Sequence, residues 1–119
     1  MPTTLAFRAT FLRSMLATTC ALTASSAAIA SPGRTGAEVY ETVCARCHAS
    51  GKDKAPVIGD AKAWKPLIAE GQRELVRTAI KGIRKMPARG GDPTLSDAEV
   101  ERAVVHMANA AGGRFRARD

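Results

Sequence analysis

The sequence predicts a small all-α domain of four short helices, and three observations carry that expectation. Thr35 with Glu38, and Ser96 with Glu99, each form a capping signature at the head of a stretch with apolar residues at helical spacing. Gly- and Pro-containing runs at 49–59 and 85–94 divide the helical stretches from one another. No segment alternates apolar and polar residues as a half-buried strand would.

The first helix starts at Thr35, whose hydroxyl can cap it while Glu38 reaches back. Val39 and Val43 share a face and lead into Cys44-Ala45-Arg46-Cys47-His48. The loop from Ala49 to Gly59 follows. Asp60 then caps a short helix carrying Trp64, which Pro66 is expected to limit or kink. Gln72 to Lys81 places Leu75, Val76, Ala79 and Ile80 on one side, with Gly82 as the stop. After the loop Lys85–Thr94, Leu95 and Val100 are placed as a hydrophobic staple around the second capping box. The last helix runs to about Ala111 and ends at Gly112-Gly113. Residues 114–119 have no periodicity and are expected to form a mobile basic tail.

Cys-x-x-Cys-His is the attachment signature of a covalently bound haem. Cys44 and Cys47 would add across the two porphyrin vinyl groups as thioethers, and His48 would lie under the iron as its proximal ligand. A redox dithiol or half of a zinc site is the alternative for thiols at this spacing. A dithiol would want an α/β setting, of which there is no sign. Zinc would want four ligands, and His48 abuts Cys47.

Residues 1–30 read as a secretory signal: Arg8 and Arg13, an apolar stretch from Met15 to Ala24, then Ala28-Ile29-Ala30. The apolar run is shorter than the roughly 20 residues a membrane span needs. An uncleaved anchor and lipid attachment at Cys20 are the lesser alternatives. Cleavage would leave Cys44 and Cys47 as the only cysteines, too few for a disulfide framework. No stable membrane insertion is then expected, and the periplasm is the expected compartment.

Without residues 1–30 the chain has 89 residues, one domain's worth. So small a domain is marginal on its own side chains, so a large apolar cofactor would complete the core. Removing Arg8 and Arg13 leaves 16 basic residues against 11 acidic ones, an excess of +5. That excess suits an acidic protein partner or surface. Nucleic acid is disfavoured, because aromatics do not interleave with the cations.

In order, the chain carries the haem motif, Ala55-Pro56-Val57-Ile58-Gly59-Asp60, Ala63-Trp64, Lys85-Met86-Pro87-Ala88-Arg89-Gly90-Gly91 and Leu95-Ser96-Asp97-Ala98-Glu99-Val100. With these it resembles a class I c-type cytochrome, and within that class the c-five branch of bacterial periplasmic proteins. The resemblance spans roughly Gly36 to Gly113 and implies a cytochrome c domain over 31–113. Several members of that branch carry two paired cysteines after the Gly-Gly; this chain has Asp92-Pro93-Thr94-Leu95 instead. The prolines and the haem are then expected to hold that loop.

The resemblance implies that His48 donates its ring N–H to the Pro56 carbonyl and that Met86 is the second axial ligand. A thioether is a soft donor that favours Fe(II), and Met86 precedes a proline, which biases it to extended backbone. The rivals are Met107, which falls on the core stripe of the last helix, and His106, about 200° round from Val104 and expected to face solvent. Trp64 either lends its indole N–H to a haem propionate or packs in the core with that N–H on a backbone carbonyl. Tyr40 is undecided. Lys81, Arg84, Lys85 and Arg89 are candidate docking cations.

The expected function is that of a periplasmic carrier with one haem c, no enzyme, moving single electrons between larger redox proteins. The alternative is a haem-bearing subunit, or a five-coordinate catalytic haem protein, of a larger oxidoreductase.

Overall fold

The computed structural model describes residues 32–118. The expected signal segment with Cys20, and Asp119, lie outside the described residues. Four helical bodies are present, as expected, and among the described residues there is no strand, only an isolated antiparallel bridge between Ile83 and Met86.

The first body is composite. α1 (Gly36–Val39) starts on the expected capping box, with Thr35 Oγ1 accepting from the Glu38 N–H and Glu38 accepting from the Thr35 N–H at 2.7 Å. It passes through a π-helical turn, Tyr40–Cys44, and ends as α2 (Ala45–His48). In the π turn the Ala45 N–H reaches the Tyr40 carbonyl, five residues back. The Thr42 hydroxyl donates to the Glu38 carbonyl at 2.7 Å, a bond of the kind that loosens a helix ladder.

α3 (Ala61–Glu70) is capped by Asp60, which accepts from the Lys62 and Ala63 N–H groups. Pro66 does not limit it; the helix continues to Glu70. Proline removes the bond to the Lys62 carbonyl, but Lys62 and Pro66 are both exposed, so water can serve that carbonyl. α4 (Gln72–Lys81) has the expected bounds, and Leu75, Val76 and Ala79 are buried. A short 3₁₀ segment, Ala88–Gly91, lies within the second loop. α5 (Asp97–Ala110) starts on the Ser96–Glu99 capping box.

The core gathers on α5, whose Val100, Ala103, Val104, Met107 and Ala108 are buried, against Val39 and Val43 of the first body, Trp64 and α4. Met107, 3 % exposed, is a core residue, as the stripe predicts.

Two parts of the chain carry ties that the sequence does not announce. The tail is not free. Phe115 exchanges two hydrogen bonds with the Asn109 amide (2.8 and 2.9 Å), and Arg116 two with the Gln72 amide (2.7 and 3.0 Å). Arg118 pairs with buried Glu101 at 3.1 Å. The segment after Gly91 has ties beyond the expected prolines and haem. Arg34 reaches Asp92 (3.4 Å) and Glu99 (3.2 Å), and the Asp92 carboxylate accepts from both the N–H and the hydroxyl of Thr94.

Candidate haem-attachment site

One cleft of about 360 Å³ lies between the end of the first helical body, the 52–56 loop and the 83–91 segment. Cys44, Cys47, His48, Pro56 and Met86 all line it, so the fold brings the predicted site residues to one place. Both thiols are free and half-buried. Burial pushes the Cys44 thiol above its ordinary range, against a smaller opposing pull from Arg46.

His48 is 8 % exposed, and its Nδ1 lies 2.8 Å from the Pro56 carbonyl. A carbonyl oxygen only accepts, so Nδ1 carries a proton, and in the neutral ring Nε2 is the nitrogen left with the lone pair. This is the hydrogen bond the resemblance implies. The same loop is laced to the motif a second time, through the Ile58 N–H donating to the His48 carbonyl at 2.9 Å.

Trp64 resolves toward the core. It is 4 % exposed, and its indole N–H donates to the Val57 carbonyl at 2.9 Å, which leaves no proton for a propionate. Its ring centroid lies 6.3 Å from that of His48, so it packs behind the imidazole without lining the cleft.

Met86 is half-buried at the end of a tight turn: the Ile83 and Met86 N–H groups donate to each other's carbonyls at 3.0 and 2.8 Å. Gly82 permits the close packing. Its φ of 81° with ψ of 156° is a backbone region open almost only to glycine. A β-carbon there would come within 2.8 Å of the Met86 carbonyl oxygen.

His106 lies elsewhere. It is half-buried, with its ring 5.6 Å from that of Tyr40, so it neither lines the cleft nor faces open solvent as expected. The same contact accounts for Tyr40.

The expected docking cations divide. Arg84 and Lys85 are exposed on the cleft rim with Arg46, Lys52 and Lys54, and Lys85 pairs loosely with Asp53 at 3.5 Å. Ile83, the exposed large apolar residue among those described, stands beside them. Lys81 lies outside the cleft. Arg89 is turned away from the rim; its Nη1 donates to the Leu95 carbonyl and its Nη2 pairs with Asp97. The sequence marked it only as one cation among several, since nothing local announces a partner on another element.

The donor set fits haem c: two free thiols at the attachment spacing, an imidazole with its outer nitrogen held and its inner one open, and a thioether on the opposing segment. A family model described as cytochrome c oxidase, cbb3-type, subunit III matches residues 31–107. Cytochrome c-555 of Chlorobaculum tepidum is 43 % identical over 91 residues, covering 73 % of this chain and 84 % of that protein. Cytochrome c5 of Azotobacter vinelandii is 34 % identical over 76 residues, covering 62 % and 92 %. Among solved structures, a chain in an electron-transfer complex of nitrite reductase with cytochrome c superposes with a TM-score of 0.62 at 42 % identity, covering 64 % of this chain and 93 % of that one. The chain belongs to the class I c-type cytochromes and is an electron carrier, not an enzyme, with a covalently bound haem c.

Proposed function

We propose that the chain is an exported, periplasmic carrier shuttling single electrons between larger redox proteins, with Cys44 and Cys47 as thioether anchors and His48 and Met86 as axial iron ligands. The observation that supports this most is the convergence of those four side chains on one cleft, with His48 Nδ1 already committed to Pro56. When bound, haem c supplies a one-electron iron couple.

The chain's own residues have distinct tasks. Pro56 fixes the His48 ring and its tautomer. Trp64 closes the space behind that ring. The Ile83–Met86 turn and Gly82 seat Met86. Two protein ligands on the iron would leave no position for a substrate, which suits a carrier. Arg46, Lys52, Lys54, Arg84 and Lys85 around Ile83 offer a cationic rim with an apolar spot, suited to a partner with an acidic edge. The nitrite reductase complex of the similar cytochrome supports a larger redox enzyme as that class of partner.

Export rests on residues 1–30. No helix among the described residues is long and apolar enough to cross a membrane.

Absorption spectroscopy of the oxidised protein tests the ligand pair. Met86→Ala is expected to lose the weak far-red band of Met–Fe(III) and to bind small added ligands, while His106→Ala keeps the parent spectrum. The reverse pattern would refute the assignment.

A further inference from the structure

Arg89 stands three residues past Met86, yet its side chain reaches away from the cleft rim to α5. Nη1 donates to the Leu95 carbonyl at 2.9 Å, and Nη2 pairs at 2.6 Å with Asp97, the first residue of α5. Its side chain is 27 % exposed, against 75 % for Lys85. Its backbone is bent to φ 54°, and its carbonyl accepts from the Asp92 N–H. From the segment that carries Met86, one side chain thus bonds two other pieces of structure: the chain leading into α5, and α5 itself. A guanidinium can donate in two directions at once, which a lysine ammonium on a flexible stem does less well.

We propose that Arg89 is a positioning residue, holding the Met86–Gly91 segment on the start of α5 and so setting how often the Met86 thioether leaves its seat. The inference rests on the reading of Met86 as an axial ligand. An added ligand reaches the iron only while Met86 is away, so its apparent affinity follows the population of the open segment.

The test uses the oxidised holoprotein titrated with imidazole, followed by loss of the far-red band. Arg89→Ala is expected to raise imidazole affinity roughly ten-fold, the scale of losing hydrogen bonds to a charged group. Asp97→Asn is expected to give a smaller rise, and Arg89→Lys a partial recovery. Arg77→Ala, which removes only the exposed pair with Glu74 away from the cleft, should stay within about two-fold of the parent. If Arg89→Ala lowers the urea midpoint but leaves imidazole affinity unchanged, Arg89 is merely structural and the proposal fails. If Arg89→Ala does not accumulate, Asp97→Asn decides: a several-fold rise supports the proposal and an unchanged affinity overturns it. Met86→Ala separates the two readings. If it keeps the far-red band and the parent affinity, the axial assignment fails whatever Arg89 does; if it loses the band and Arg89→Ala does nothing, only the positioning role falls.

Discussion

Gly36 lies against the carbonyl of Arg102 so closely that a β-carbon at position 36 would overlap it. The first helical body and α5 can therefore cross there only with the bare glycine backbone. Gly36→Ala is expected to lower the unfolding free energy by about 2–3 kcal/mol, because the overlap is with backbone that cannot rotate aside. Urea denaturation of the holoprotein measures it, and a parent-like midpoint would mean that the crossing is looser than described.

The tail contributes stability. Ending the chain after Gly113 removes the partners of Asn109 and Gln72 and leaves the buried Glu101 carboxylate without Arg118. A loss of about 1–3 kcal/mol is expected, with an unchanged visible spectrum. A truncated protein as stable as the full chain would mean that these contacts contribute nothing to folding.

Glu99 links acid stability to the α5 capping box. Backbone donors at Ser96 and Arg34 hold its carboxyl down at about 2, from an ordinary 4.5. A depressed folded pKa contributes stability that is fully present above pH 4.5 and is lost as pH falls toward 2. Glu99→Gln should be less stable than the parent at pH 7, and the gap should close between pH 4.5 and 2. A gap that persists at pH 2 would show that the charge is not what matters.

The cationic rim predicts a salt-dependent encounter. Electron transfer to an acidic redox protein should slow as ionic strength rises, since screening acts over about 8–10 Å at moderate salt. Reversing the exposed pair Arg84 and Lys85 to Glu should weaken that dependence without moving the spectrum. Arg89 is unsuited to this test, because its charge is spent on Asp97. Stopped-flow rates across a salt series decide; indifference to salt would make the rim a solvated face.

What the sequence made legible was local. Both capping boxes and the bounds of α4 were readable because their partners lie within three or four residues. The haem motif was readable because the chemistry itself demands contiguous residues. The bond from His48 to Pro56 came through resemblance, since no spacing rule predicts it. Long-range pairing stayed hidden: Arg34 meets Glu99 across 65 positions, and the Gln72 amide meets Arg116 across 44. The partners of Arg89 and of the tail stayed hidden for that reason. Pro66 sits inside α3 without ending it, because an exposed helix face tolerates a missing bond.

The π turn upstream of the motif sets where the motif points. His48 is nine residues beyond Val39, and in an uninterrupted α-helix that is about 180° round, the opposite side from the core. One residue absorbed in a π bulge reduces the effective count to eight and brings His48 to roughly 80° from Val39. The five letters of the attachment signature therefore have an angular phase that they do not encode. A chain that wound the same residues as an unbroken α-helix would still spell the signature, but would carry its histidine round the helix, away from the Pro56 carbonyl and the segment bearing Met86; deleting one residue between Tyr40 and Cys44 would instead remove the bulge and keep the phase.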